Sequence, residues 1–419
     1  QGGGRLPLPR GKKLRVAVRG PTSTPERLVI RFTRLPEILD EGDTILLDDG
    51  TLVLRVTGRS GRRSSGNGAS AELDVVVVRG GSLKEHAGVN LPGRALRVRV
   101  PTRQDEGHAR MAVAEQADFV ALSFVQSPDE LVRLRKMMQR WAGRKRVPSI
   151  VAKIEKPAAL DNLDEILAVT DGVMVARGDL GVETALEKVP VWQKEILRRA
   201  RRRGVFTITA TQMLESMIDH ATPTRAEVSD VANAVFDGTD ALMLSAESAV
   251  GEHPVESVRM LSRIAQEVEH ELPVRSPIDA FVTRKDRGGG AARPKSETPE
   301  REAIEAMVEA TLALAVRSEA KCIACFTLTG RTGFLLSRHR SRIEVICLTP
   351  NESTRRLLTL AWNVRSLLLP RVRTADEMMK RGLKLLESAR VVRPGDTVVL
   401  VGGAANVPEA TNLLRWVRV

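Results

Sequence analysis

The residues from Ser149 to Glu247 constrain this chain more than any other stretch. Four short apolar runs there each end in polar residues suited to anions and cations. Ser149-Ile-Val-Ala-Lys-Ile-Glu155 delivers Lys153 and Glu155, and Gly172-Val-Met-Val-Ala-Arg-Gly-Asp179 delivers Asp179. Val205-Phe-Thr-Ile-Thr-Ala-Thr-Gln212 delivers Thr211 and Gln212, and Ala241-Leu-Met-Leu-Ser245 delivers Ser245, with Glu247 close behind. Helical patterns separate the runs, and each delivered group follows the last by about 30 residues, the length of a strand-and-helix unit. Polar residues at the C-terminal ends of successive parallel strands form the active rim of a (β/α)8 barrel. Lys153 and Glu155 are two apart, so on a strand they face one side while Ile154 turns into the helix layer. The expected site binds an anion and a metal on a barrel rim.

A chain of 419 residues has room for two or three domains, each with its own core. No apolar run approaches the ~20 residues of a membrane helix. The Gly-, Arg- and Pro-rich start carries no signal-peptide pattern. A cytoplasmic protein with no membrane partner is expected. Cys322 and Cys325 have C-x-x-C spacing but lie inside an apolar strand-like run, with Cys347 in another. Buried thiols in a reducing compartment fit better than a metal or redox pair. The net charge of +13 admits nucleic acid as a partner, but the arginines are spread over helix faces and ends. The cluster Arg198–Arg203 closes a helix before Gly204, where cations offset the helix dipole. Aromatics make up 3% and Tyr is absent, so base-stacking platforms are scarce. A solvated basic surface favouring small anionic substrates is expected, and no nucleic acid.

Along the chain, residues 1–93 form a β-rich module with runs at Leu14–Val18, Leu28–Phe32, Thr44–Leu47, Leu52–Val56 and Leu73–Val78. Asp48-Asp49-Gly50-Thr51 is a hairpin signal, and Arg59–Ser70 reads as a Gly/Ser/Arg-rich loop. Residues 94–271 alternate strands and helices. Thr224-Arg-Ala-Glu227 is a capping box, and Pro254 opens a further helix. Five strands, from Phe119 to about Ser245, are clear in this block, too few to close a barrel by themselves. Residues 272–299 read as a linker. Residues 300–419 return to alternation, as in a separate doubly wound α/β domain.

At this point the sequence resembles the pyruvate kinase family. The strings that carry the resemblance are Ala152-Lys-Ile-Glu155, Asp171 to Gly181, Ala210-Thr-Gln-Met-Leu-Glu-Ser-Met217, Pro223 to Val235 and Met243-Leu-Ser-Ala-Glu-Ser248. Gly88-Val-Asn-Leu-Pro-Gly93 and Ile45-Leu-Leu-Asp-Asp-Gly50 are similar to its lid domain. Phe326-Thr-Leu-Thr-Gly-Arg-Thr332, Thr349-Pro-Asn351 and Thr411-Asn-Leu-Leu414 are similar to its C-terminal domain. The implied fold is α/β: a (β/α)8-type barrel domain with its N-terminal strands missing, an inserted small β-barrel lid, and a C-terminal doubly wound domain.

The resemblance implies phosphoryl transfer from phosphoenolpyruvate to ADP, giving pyruvate and ATP. Lys153 would supply positive charge for the transferring group. Glu155 and Asp179 would hold Mg2+. The Gly178 and Asp179 amides would bind substrate oxygens. Thr211 would touch the substrate near the proton path to the enolate, and Arg177 would brace the site through an ion pair. Ser245 and Glu247 could serve either a supporting or a purely structural role. Thr327, Thr329, Gly330, Arg331 and Thr332 lie where the family holds a sugar-phosphate activator; ordinary helix capping explains them equally well. The family also implies a homotetramer and K+.

The chain departs from the family in lacking the first βαβαβ segment and its Arg-x-Asn-x-Ser string, so the K+ site cannot be mapped here. His86 and Ala87 stand where a basic residue usually precedes Gly88, with Lys84 close by. Open sheet edges are expected to leave this chain alone weakly active or inactive. Two alternatives stay open on sequence: a non-catalytic relative binding sugar phosphate or nucleotide, and another Mg2+-dependent barrel enzyme acting on pyruvate or its enolate.

Overall fold

The computed structural model describes residues 4–48, 50–60, 72–85, 87–92, 100–271, 299–403 and 411–419. Three larger sheets and one two-stranded sheet organise them. The first eight strands are β1 (Leu6–Leu8), β2 (Lys13–Ala17), β3 (Arg27–Val29), β4 (Thr44–Leu47), β5 (Leu52–Ser60), β6 (Glu72–Arg79), β7 (Gly81–Leu83) and β8 (Val89–Asn90). Six of them make one sheet in the order β3-β2-β6-β5-β4-β8, and β1 pairs β7. Period-2 alternation decides which face is inside: Leu52, Leu54 and Val56 on β5 and Leu73, Val75 and Val77 on β6 are all buried in one core. The β4–β5 hairpin forms as expected, with Asp48 and Gly50 both at positive φ (51° and 80°). Asp49 lies outside the described residues, as do His86, most of the expected Arg59–Ser70 loop, the 93/94 boundary and all but the last residue of the expected linker.

The second sheet holds β9 (Phe119–Leu122), β10 (Ser149–Ile154), β11 (Gly172–Ala176), β12 (Phe206–Ala210) and β13 (Ala241–Met243). All pairs are parallel and neighbours follow sequence order, as in successive (β/α) units. The helix after Thr224 begins where its capping box predicts. Thr102 and Thr224 both close capping boxes, over Arg103–Ala114 and Arg225–Asp237. Arg103–Ala114 stops short of Gln116, which turns to φ 56°. Gly204 ends Val189–Arg203 at φ 72°, as its position after the arginine cluster requires. Gly172 is needed for packing, since a Cβ there would lie 2.2 Å from the Phe206 ring. Among the described residues no helix is long and apolar enough to cross a membrane.

The third sheet runs β16-β15-β14-β17-β18, from β14 (Cys322–Phe326), β15 (Glu344–Thr349), β16 (Val364–Leu368), β17 (Thr397–Gly402) and β18 (Leu413–Arg418). The first four are parallel, and β18 adds an antiparallel edge that the sequence reading does not anticipate. Cys322 and Cys325 are both fully buried on β14, three positions apart and so on opposite faces of the sheet. They fall in different cores, Cys325 beside Cys347.

This third unit meets the N-terminal ends of the barrel strands. Arg356 Nε donates to Asp118, just before β9, at 2.9 Å, and Phe334 stacks on Phe206 at the start of β12. Arg340 Nη2 donates to Gly238 O (2.5 Å) and Asp240 Oδ1 (2.9 Å), and the guanidinium lies over Trp362. The opposite, C-terminal ends of the strands are thereby left for the lid. Asp240 also accepts from the Thr207 amide and hydroxyl, both at 2.8 Å, so it holds β12, β13 and the third unit together. Burial depresses the basicity of Arg340, which Asp240 offsets, and two of its other nitrogens have no hydrogen-bond partner. Asp240→Ala is expected to lower stability by about 3–5 kcal/mol by stranding that charge. Arg340→Met should cost less, about 1–2 kcal/mol, because Asp240 keeps Thr207. Denaturant midpoints of the two variants check the order.

Candidate active site

Strand β10 ends at Ile154, so Lys153 is its penultimate residue and Glu155 the first beyond it. Lys153 Nζ sits 2.5 Å from Glu155 Oε1 and donates to Ser123 Oγ at 3.1 Å. Glu155 is fully buried, and its Oε2 accepts the Phe124 amide at 2.6 Å. Oε1 has the Lys153 cation beside it but no hydrogen bond of good geometry, so a buried lone pair stays uncommitted. Burial pushes the Glu155 carboxyl above its ordinary range; Lys153 and the Phe124 amide oppose this, and the Asp179 charge adds to it.

Asp179 lies in the first turn of the helix Arg177–Glu183, which follows β11. Among the described residues no group of three or more His, Cys, Asp or Glu could hold a metal. Two carboxylates with one uncommitted buried oxygen fit a hard cation such as Mg2+, which keeps waters and substrate oxygens as its other ligands. They do not fit a closed structural zinc site.

Arg177 is buried and braces the neighbouring strand end. Its Nη1 donates to Asp230 Oδ2 (2.6 Å), and Nη2 donates to Thr211 O (2.7 Å) and Gln212 O (3.1 Å). Those carbonyls converge because Thr211 and Gln212 both adopt positive φ, 67° and 53°. Consecutive left-handed non-glycine residues are costly and persist where surrounding bonds over-determine them, commonly at functional sites. Thr211 Oγ1 donates to Ala210 O (2.6 Å) and accepts from the Gly178 amide (2.8 Å). The Gly178 amide, one of the two expected to meet a substrate oxygen, donates here to Thr211 Oγ1 and so positions that hydroxyl.

Glu247 is buried and accepts from the Leu214 amide (3.2 Å) and the Ser245 amide (2.7 Å). It ties the loop after β12 to the end of β13. In the third unit, Thr327 Oγ1 accepts the Gly330 amide (2.9 Å), and Thr332 Oγ1 bonds Thr411 Oγ1 (2.9 Å). Gly330 takes φ 89° ahead of the helix Arg331–Ser337. These bonds are loop and helix-start bonds. Thr329 and Arg331 also line a cleft of about 410 Å³ with Arg203 and Ser149 of the barrel unit.

The structure adds Ser123, Phe124 and Lys156 to the rim. The run Phe119–Val125 reads as one strand, but β9 stops at Leu122 and Phe124 turns to φ 56°. A serine inside an apolar run gives no signal until its strand is known to end there. Lys156 pairs with Glu183, and neither belongs to the expected site.

The family description "Pyruvate kinase, barrel domain" matches residues 1–258, and "Pyruvate kinase, alpha/beta domain" matches residues 305–417. The curated pyruvate kinase of Methylorubrum extorquens is 41% identical over 391 residues, which is 93% of this chain and 76% of that protein. Those of Thermotoga maritima and Sporosarcina psychrophila are 36% and 35% identical, covering 93% and 98% of this chain and 77% and 67% of their own lengths. The chain belongs to the pyruvate kinase family. Its fold is that family's barrel with an α/β C-terminal domain, and its activity is that of a pyruvate kinase, a phosphotransferase. The family's barrel match includes every rim residue from Ser123 to Glu247.

The Arg177 fork gives a direct test of the rim's construction. Arg177→Lys cannot hold Asp230 and two carbonyls together. It should lower kcat/KM for pyruvate formation by about 10²-fold through displacement of Thr211. Steady-state kinetics beside a thermal unfolding curve check this, since a fully active variant would mean that Thr211 needs no brace.

Proposed function

We propose that the rim formed by Lys153, Glu155, Asp179 and Thr211 carries the Mg2+-dependent transfer of a phosphoryl group from phosphoenolpyruvate to ADP. The observation that supports this most is the buried Glu155, whose Oε1 is beside Lys153 yet has no hydrogen bond, and whose carboxyl also feels the Asp179 charge. Glu155 and Asp179 would hold the cation. What it supplies when bound is neutralisation of charge on the substrate's phosphoryl and carboxylate oxygens.

The bond from phosphorus to the enol oxygen breaks, a bond to the terminal oxygen of ADP forms, and the enolate carbon takes up a proton. Lys153, held between Glu155 and Ser123, places positive charge where the phosphoryl group is shared by donor and acceptor. Thr211 is kept near the substrate by Ala210 O and the Gly178 amide, where its hydroxyl borders the proton's path to the enolate. Arg177 touches no substrate in this scheme and acts by holding the Thr211 backbone. The Gly178 and Asp179 amides are the rim's candidate donors to substrate oxygens. A K+ requirement, a cytoplasmic location and a homotetramer belong to the same proposal by family membership. Thr329 and Arg331 are its candidates for contact with an anionic effector, supported by the cleft they line.

Two outcomes are expected. Lys153→Met should reduce kcat for pyruvate formation by about 10³-fold with the fold intact by circular dichroism; near-normal turnover would remove Lys153 from the chemistry. The pH dependence follows from Glu155. Protons compete with the cation, and burial raises this carboxyl, so the Mg2+ activation constant should rise as pH falls, starting above the ordinary carboxylate range. Without the cation the sign for stability is also set. The folded state holds the Glu155 proton more tightly than the unfolded chain. Its contribution is therefore full below the ordinary carboxyl pKa and lost as pH rises through the raised one. Glu155→Gln should flatten that part of the pH profile of thermal unfolding, and an unchanged profile would count against the assignment.

A further inference from the structure

The residue after Glu155 does something the reaction itself does not require. Lys156 turns its ammonium to Glu183, the last residue of the short helix whose first turn carries Asp179. Both side chains are largely buried, 18% and 6% exposed. The same Glu183 Oε1 accepts a hydrogen bond from Asn90 Nδ2 at 3.2 Å.

Asn90 belongs to the lid. It lies on β8, which pairs antiparallel with β4 in the register Leu46↔Asn90, just before the chain returns to the barrel. Lys156 also lies over the Phe124 ring, 5.6 Å from its centre, and the Phe124 amide is the donor that fixes Glu155 Oε2. One buried ion pair thus touches the segment of each candidate cation ligand and the lid strand at once.

We propose that Lys156 and Glu183 are positioning residues that couple the lid to the cation site, so that lid placement and the geometry of Glu155 and Asp179 change together. The inference rests on the reading of those two carboxylates as cation ligands. A displacement of β8 pulls Glu183, which ends the Asp179 helix, and through Lys156 it pulls the backbone next to Glu155. Buried pairs of this kind have few alternative partners, so motion is passed on and not absorbed by solvent.

The test uses the whole chain, Mn2+ as the probe, and two readouts. Electron paramagnetic resonance of free Mn2+ gives cation affinity, and hydrogen exchange of residues 87–92 gives lid anchoring. Asn90→Ala contacts neither carboxylate. It should speed exchange in 87–92 by about tenfold and weaken Mn2+ binding by about threefold to tenfold. Lys156→Met should do the same, and Lys156→Arg, which keeps the pair, should restore both. Faster exchange with unchanged Mn2+ affinity in Asn90→Ala and Lys156→Met overturns the coupling, as does unchanged exchange. Asp179→Asn separates the two levels: if it leaves Mn2+ affinity intact, the cation reading fails and the coupling with it, whereas weakened binding there confines any failure to the coupling.

Discussion

The contact between Lys153 and Glu155 is what the rest of the rim is arranged around. A fully buried carboxylate is costly unless opposite charge and hydrogen bonds surround it. Here one oxygen is met by an amide at 2.6 Å and the other by an ammonium at 2.5 Å. That arrangement is only partly compensated, because the carboxyl still sits above its ordinary range. A cation between Glu155 and Asp179 would remove both the excess charge and the uncommitted lone pair, and would leave Lys153 freer to face a substrate anion.

The surrounding scaffold serves to keep these groups from relaxing away. Arg177, itself buried, forces two consecutive backbone carbonyls toward one guanidinium and so stabilises the left-handed turn at Thr211 and Gln212. Glu247 performs a similar task one strand further on, joining the loop after β12 to β13. At the other end of the same strands, Asp240 and Arg340 fix the C-terminal unit. The candidate site lies at the C-terminal ends of the strands and the anchoring contacts at the N-terminal ends, the division expected of a parallel (β/α) succession.

Much of this was legible in the sequence, for reasons that differ by residue. Lys153, Glu155, Asp179 and Thr211 each close an apolar run, and a polar residue at a strand's end stands out against its neighbours. Thr224 announces its helix because the capping box is a local device. Ser123 stayed hidden inside an apolar run, since a left-handed residue at Phe124 ends β9 early and side-chain type does not encode that. Asp230, Glu183 and Asn90 were illegible because their partners lie 53, 27 and 93 residues away in the chain. The Gly178–Thr211 contact is hidden for the same reason: the hydroxyl arrives from the next strand. Strand β18 has a short run without alternation and Trp416 half exposed, so an edge strand here leaves little signal.

The central claim is that Glu155 and Asp179 share one divalent cation beside Lys153. It is tested most directly by anomalous scattering from crystals of the chain grown with Mn2+. A single strong peak is expected at coordination distance, about 2.2 Å, from one oxygen of each carboxylate. A peak bound by neither carboxylate, or by only one of them with Glu155 still paired to Lys153 alone, would contradict it.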